Sequence, residues 1–415
     1  MELVRRDEVR PQAPAGPGEG VDAYRVLFPI GAVAAIAALV PWMLLPFAAQ
    51  PWWPRALHPG WPGLSHPSLM VQGFEAAFVA GFLLTAMPAF THGPRASRRE
   101  VLTAAGTCGA FVVMRVLGVP GAAFAFLATL LVPALAVLRR VRPGAAAPPE
   151  EFLLVATGMA LGIAGGVVQA LSEVGVLPPQ AARLGMRCVS LGLLPALVLG
   201  LGGLLVPTFS RVRDPLEIVG VARAGNRPRR RAFALSIAAL LVLALNLEFA
   251  GLGTAGGVLR AIAVLAGTLL AWKIHRAPAD PDRLSRALRA SGFALAIGFT
   301  TAALVPAWRV EAWHVAFVGG YALLTLSIGT RVVVSHGGHA RSEERVVLSR
   351  RVLTGLGLAV LVRALGPIAD PARATTFHAL AAALAVGAIG LWLRAAWPRV
   401  RHTRRPVVMP GPARD

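Results

Sequence analysis

Apolar and polar positions alternate along this chain on a long scale, not with the short period of a surface helix or strand. Apolar runs of about twenty residues recur, separated by short polar stretches, and about twenty helical residues cross roughly 30 Å of hydrocarbon. The pattern predicts twelve spans at about 24–47, 67–91, 101–118, 120–138, 152–176, 184–208, 232–251, 256–274, 289–308, 313–334, 347–367 and 376–396. Only Gly118-Val119-Pro120 parts the third span from the fourth, which predicts a tight turn. Residues 1–23 read as a basic, Pro/Gly-rich, disordered tail without the apolar core of a cleavable signal. Residues 24–397 read as one transmembrane domain, and 398–415 as a basic cytoplasmic tail.

Composition agrees. The chain has 415 residues, 56% of them hydrophobic and 15% charged, with a mean hydropathy of +0.64. A soluble domain carries about 25% charged residues. The expected fold is therefore an all-α polytopic membrane protein with the lipid bilayer as its partner. The net charge of +21 does not point to nucleic acid. The arginines gather in short clusters between apolar runs, where positive-inside loops place them. Arg95/Arg98/Arg99, Arg139/Arg140/Arg142, Arg211 to Arg231, Lys273/Arg276/Arg283/Arg286 and Arg341/Arg345/Arg350 fall in alternate loops, and both tails are basic. That alternation predicts N-in, C-in topology. The opposite loops hold Trp52, Trp53, Trp61, Trp308 and Trp313, which suit an outer aromatic belt. Cys108 and Cys188 lie inside apolar runs and read as packing residues.

This topology assigns the histidines a depth. His66 on the second span, His314 on the tenth and His378 on the twelfth come near the outer face, and His92, His275, His336 and His339 near the inner face. Ionisable or ligand-capable side chains inside a membrane protein face its interior and often mark function. Neutral imidazole is an axial ligand for haem iron and a common copper ligand. At helical spacing, Gly73 and Ala77 follow His66, and Tyr321 and Thr325 follow His314. Small residues on such a face suit a flat porphyrin, and equally suit close helix packing. Pro88-Ala89-Phe90-Thr91 and Pro207-Thr208-Phe209-Ser210 lie four helices apart, which hints at three four-helix repeats.

Several of these residues carry a resemblance. His66, Gly73-Phe74 and Gly81-Phe82-Leu83-Leu84-Thr85-Ala86 resemble the second helix of the NnrS family. Gly202-Gly203-Leu204-Leu205-Val206-Pro207-Thr208-Phe209 is similar to that family's Gly-Gly-Arg-Val-Ile-Pro-Phe-Phe segment. His314, Gly319, Thr325, Leu326, Thr330, Arg331, His336 and Gly338 fit its tenth-helix pattern without a gap. The resemblance implies a bacterial inner-membrane protein with haem and copper, tied to the nitric oxide response and to tolerance of nitrosative stress. It passes a metal or haem role to His66, His314 and His336. His339 and His378 join them as candidate metal ligands by position, and Tyr321 and Arg331 as candidate haem contacts. The family's second His and its Glu are Ser68 and Leu69 here, which weakens the case for copper. Its helix-six Arg is Leu204, and His339 stands where the family has Arg.

At the level of fold, the layout is also similar to haem–copper oxidases and their nitric oxide reductase relatives. Those have twelve helices in three arcs and a haem held by His from helices 2 and 10. The sixth and seventh spans here contain no His, so a copper site of that kind cannot be built.

The remaining intramembrane polar groups are expected to be structural. Glu75, nine residues beyond His66, is predicted to face the opposite side of its helix, either as a proton-carrying carboxylate or, the favoured reading, as the partner of an Arg such as Arg115. Arg331 is expected either to neutralise an anion or to snorkel to the inner interface. Arg115, Glu173, Arg187 and Arg260 have no assignable partner in sequence. Alternative functions are a secondary transporter, which would favour broken helices matched between two halves, and an enzyme that reduces nitric oxide. No phosphate loop, nucleophile triad or zinc spacing is present.

Overall fold

The structure, a computed structural model, describes residues 21–48, 50, 52, 62–91, 93–140, 148–210, 212, 226–278 and 281–402. His92, Trp53, Trp61 and most of both tails lie outside the described residues. All elements within them are helical. Twelve helices are long and apolar enough to cross a membrane: Tyr24–Ala48, Ser65–Pro88, Arg98–Leu117, Ala122–Arg140, Phe152–Glu173, Pro179–Phe209, Arg227–Phe249, Gly253–Ala271, Arg283–Leu304, Pro306–His336, Arg350–Ala369 and Pro371–Arg401. They are called the first to twelfth spans below. The sixth, tenth and twelfth are longer than their apolar runs predict, because polar turns at their ends stay helical.

The turn between the third and fourth spans shows how side chains fix a short connection. Ser97 and Glu100 form a capping box at the start of the third span. The span stops at Gly118, whose φ of 67° is left-handed and open to glycine without strain. Glu173, at the end of the fifth span, then accepts the backbone N–H groups of Gly121 at 3.0 Å and Ala123 at 3.1 Å. Arg115 donates to the same carboxylate at 3.1 Å. The expected Glu75–Arg115 pair therefore does not form; Arg115 and Glu173 satisfy each other. Arg260 has a partner too. It donates to Glu248 at 2.7 Å and to the Leu191 carbonyl at 3.2 Å.

The second, sixth and tenth spans are the most deeply buried of the twelve. Each contains a wide π-helical turn: Leu69–Glu75, Cys188–Leu193 and Val315–Ala322. A fourth such turn, Gly267–Ala271, lies in the eighth span. Small residues let the spans meet. A Cβ at Gly298 would stand 2.6 Å from the backbone nitrogen of Ala316, so ninth and tenth spans touch backbone to backbone there. The first span lies along the twelfth, which brings the two ends of the bundle together.

Most arginine–carboxylate pairs occur at the end of the bundle where the sequence puts the basic loops. Arg140 joins Glu100, Arg341 joins Asp282, and Arg399 joins Glu343. These arginines are structural as well as topological.

Candidate functional site

The site lies where the second and tenth spans face each other at the end opposite the basic loops. The imidazoles of His66 and His314 have ring centres 6.4 Å apart and planes 8° from parallel. Nδ1 of His66 lies 3.2 Å from the carbonyl oxygen of Ala38, and Nδ1 of His314 lies 2.7 Å from that of Val310. A carbonyl only accepts, so each Nδ1 carries the proton and each Nε2 is left with a bare lone pair. A backbone carbonyl on one ring nitrogen is the usual way a protein orients a ligating histidine through the other.

Trp42 of the first span ties the pair to the twelfth. Its ring meets His66 edge-on at 6.1 Å and His378 edge-on at 5.4 Å. Nε2 of His378 is buried without a hydrogen-bond partner. Arg363 of the eleventh span also reaches this end of the tenth span. It forms a loose 3.7 Å ion pair with Glu311, and its Nη1 is buried with no hydrogen bond. Sequence reasoning did not single out Trp42, Glu311 or Arg363. A lone arginine in an apolar span was the available signal for Arg363.

Deeper between the same spans, Thr325 donates a 2.7 Å hydrogen bond to buried Glu75. At ordinary helical spacing Glu75 would face away from His66. The π turn over Leu69–Glu75 slows the helix's rotation and brings Glu75 round to the tenth span. Gly73 departs from expectation in the opposite sense. A Cβ there would meet Ala34, Phe111 and Val112 on the first and third spans. Gly73 thus does not line the His66–His314 face. Ser68 donates to Gln72, and Gln72 to Gln169 of the fifth span at 3.0 Å. Tyr321 packs against Phe317 and Phe299, with its hydroxyl buried and unpartnered.

The other candidates are far away. His336 is 22 residues beyond His314, roughly 30 Å along a helix. Its ring lies 6.1 Å from that of Tyr24. His339 contacts the Arg399 carbonyl at 3.3 Å. Arg331 pairs with Glu344 and stacks over Phe209 at 5.5 Å, so it belongs to the basic end and not to the histidine pair. Among the described residues, no three His, Cys, Asp or Glu side chains converge as a metal ion would require.

A family model described as NnrS protein matches residues 21–404, nearly the whole chain. The chain belongs to the NnrS family. No curated protein matches it. Family membership and twelve candidate spans make it an NnrS-type multi-pass membrane protein. The NnrS-like positions read from the sequence divide into two sets at opposite ends, His66 with His314 and Arg331 with His336.

Proposed function

We propose that this protein holds one haem between His66 and His314 and serves the cell's response to nitric oxide and nitrosative stress. The proposed site lies near the outer face of a bacterial inner membrane. The observation that carries the reading is the histidine pair. His66 and His314 would each offer a neutral imidazole from facing spans, with nearly parallel ring planes. Their ring centres are 6.4 Å apart, and both Nε2 atoms are free to ligate. Two neutral nitrogen donors suit haem, whose porphyrin supplies the other ligands. They do not by themselves hold copper.

Bound haem would supply an iron centre for single-electron chemistry and, if one histidine yielded its place, for a diatomic gas. The chain supplies the rest. The Ala38 and Val310 carbonyls would hold the ring orientations. Trp42 would shield one flank. Arg363, whose Nη1 has only the loose 3.7 Å contact with Glu311, is the cation proposed to meet a propionate. Arg331, named from the sequence for that role, is engaged by Glu344 at the other end. Tyr321, named from the sequence as a haem contact, packs against Phe299 of the ninth span instead.

The alternation of arginine-rich loops supports N-in, C-in topology. The three most buried spans, each with a π turn and four helices apart, support three four-helix repeats.

The test is the absorption spectrum of the full chain purified in detergent, oxidised and reduced, before and after nitric oxide. The expected result is a Soret band that shifts with the gas. Absence of any haem band, from cells that make haem normally, would overturn the proposal.

A further inference from the structure

A second polar site lies at the same end of the bundle, on the side of the tenth span that carries Arg309 and Trp313. The sixth, seventh, eighth, ninth and tenth spans enclose a cavity of about 80 Å³ there. Its walls include Arg187, Arg260, Arg309 and Glu248, with Trp313 and Phe299 as flanking rings. Three arginines against one carboxylate leave a formal excess of two positive charges.

Arg260 decides what the cavity suits. Its side chain is 2% exposed. Nη1 bonds Glu248 and Nε bonds the Leu191 carbonyl, while Nη2 is buried with no partner. An unmet donor on a buried guanidinium costs free energy until an acceptor reaches it. Among the described residues, neither Arg187 nor Arg309 has a carboxylate partner, and both stand where they could complete the charge. This trio has one acid between three.

We infer that this cavity binds a small planar oxyanion of carboxylate or nitrate type. The free Nη2 of Arg260 would donate to one oxygen, and Arg187 and Arg309 would close over the others. With Nε and Nη1 of Arg260 engaged, Arg187 and Arg309 would present the coplanar donors that match two oxygens of a planar anion better than a spherical halide. The volume admits an ion of a few heavy atoms. The site needs no haem, so its fate is separable from the function proposed above.

The test is titration calorimetry of nitrate and acetate into the full-length protein in detergent, in a buffer free of other oxyanions, with chloride as the control. Saturable binding of nitrate or acetate, at least about tenfold tighter than chloride, is expected. Arg187→Gln/Arg309→Gln, which leaves the Arg260–Glu248 pair intact, should weaken binding about tenfold or more. Arg260→Gln/Glu248→Gln, which removes donor and acid together, should abolish it while the protein remains monodisperse. Wild-type protein that takes up neither oxyanion, or variants that bind as wild type does, would overturn the inference. So would binding seen only in haem-free His66→Ala/His314→Ala protein, since a haem propionate would then be the natural occupant. Equal binding with and without those histidines supports a site for a free anion.

Discussion

Thr325 donates a 2.7 Å hydrogen bond to Glu75 across the interface between the tenth and second spans. The two residues are 250 apart in sequence. Their contact exists because both helices widen into π turns just outside it, at Leu69–Glu75 and Val315–Ala322. The turns therefore set which faces of the two central spans meet, and so which histidines meet above them.

Removing the hydroxyl tests that coupling. Thr325→Val keeps the shape and leaves Glu75 buried without this donor. Interhelical polar contacts in membranes are worth roughly 0.6–2 kcal/mol. Thermal unfolding in detergent should show a loss in that range, and Glu75→Gln, which still accepts the bond, should unfold close to wild type.

The approach of the ninth and tenth spans rests on Gly298. A Cβ there would meet Ala316 nitrogen at 2.6 Å and Ala312 oxygen at 2.7 Å, backbone atoms that cannot swing aside. Gly298→Ala should cost about 1–3 kcal/mol and shift the start of the tenth span. Gly390 has open space where its Cβ would be. Gly390→Ala should be as stable as wild type or more so. Size-exclusion profiles after graded heating would rank the two.

Glu173 serves three donors and Arg115 serves one acceptor. Glu173→Ala strands two backbone amides and a guanidinium, whereas Arg115→Ala leaves the amides satisfied. The acid should thus be the costlier loss, by about 1–3 kcal/mol. Equal melting temperatures for the two variants would show that the turn does not depend on its carboxylate.

Arg363 is proposed to meet a propionate. Arg363→Gln should leave haem bound but speed its transfer to a haem-free acceptor protein by about tenfold, the loss of one charge-assisted bond. Arg331→Gln, at the opposite end, should leave the transfer rate unchanged.

Much of this was legible in sequence because lipid imposes a simple rule: each backbone polar group must bond within its own helix. Twelve apolar runs therefore gave twelve helices, and Gly118 gave the turn expected between the third and fourth. The second and tenth spans could be singled out by their histidines, and the structure does bring His66 and His314 together. What sequence hid follows from the π turns. Periodicity at 100° per residue placed Glu75 opposite His66 and Gly73 beside it, and one widened turn reversed both. Partner choice was also hidden. Arg115 found Glu173 and Arg331 found Glu344 because of which loops lie side by side, a fact that no local pattern encodes. Trp42 went unnoticed since single aromatic residues in apolar runs are common, and Arg363 could have been found as a lone arginine in an apolar span.

The central claim is that His66 and His314 hold the haem. Its most direct test is the haem content per polypeptide, by pyridine extract, of wild-type protein, His66→Ala/His314→Ala and His336→Ala/His339→Ala. The account predicts one haem in wild type, near-complete loss in the first variant and full content in the second. Full haem in a folded His66→Ala/His314→Ala protein would contradict it.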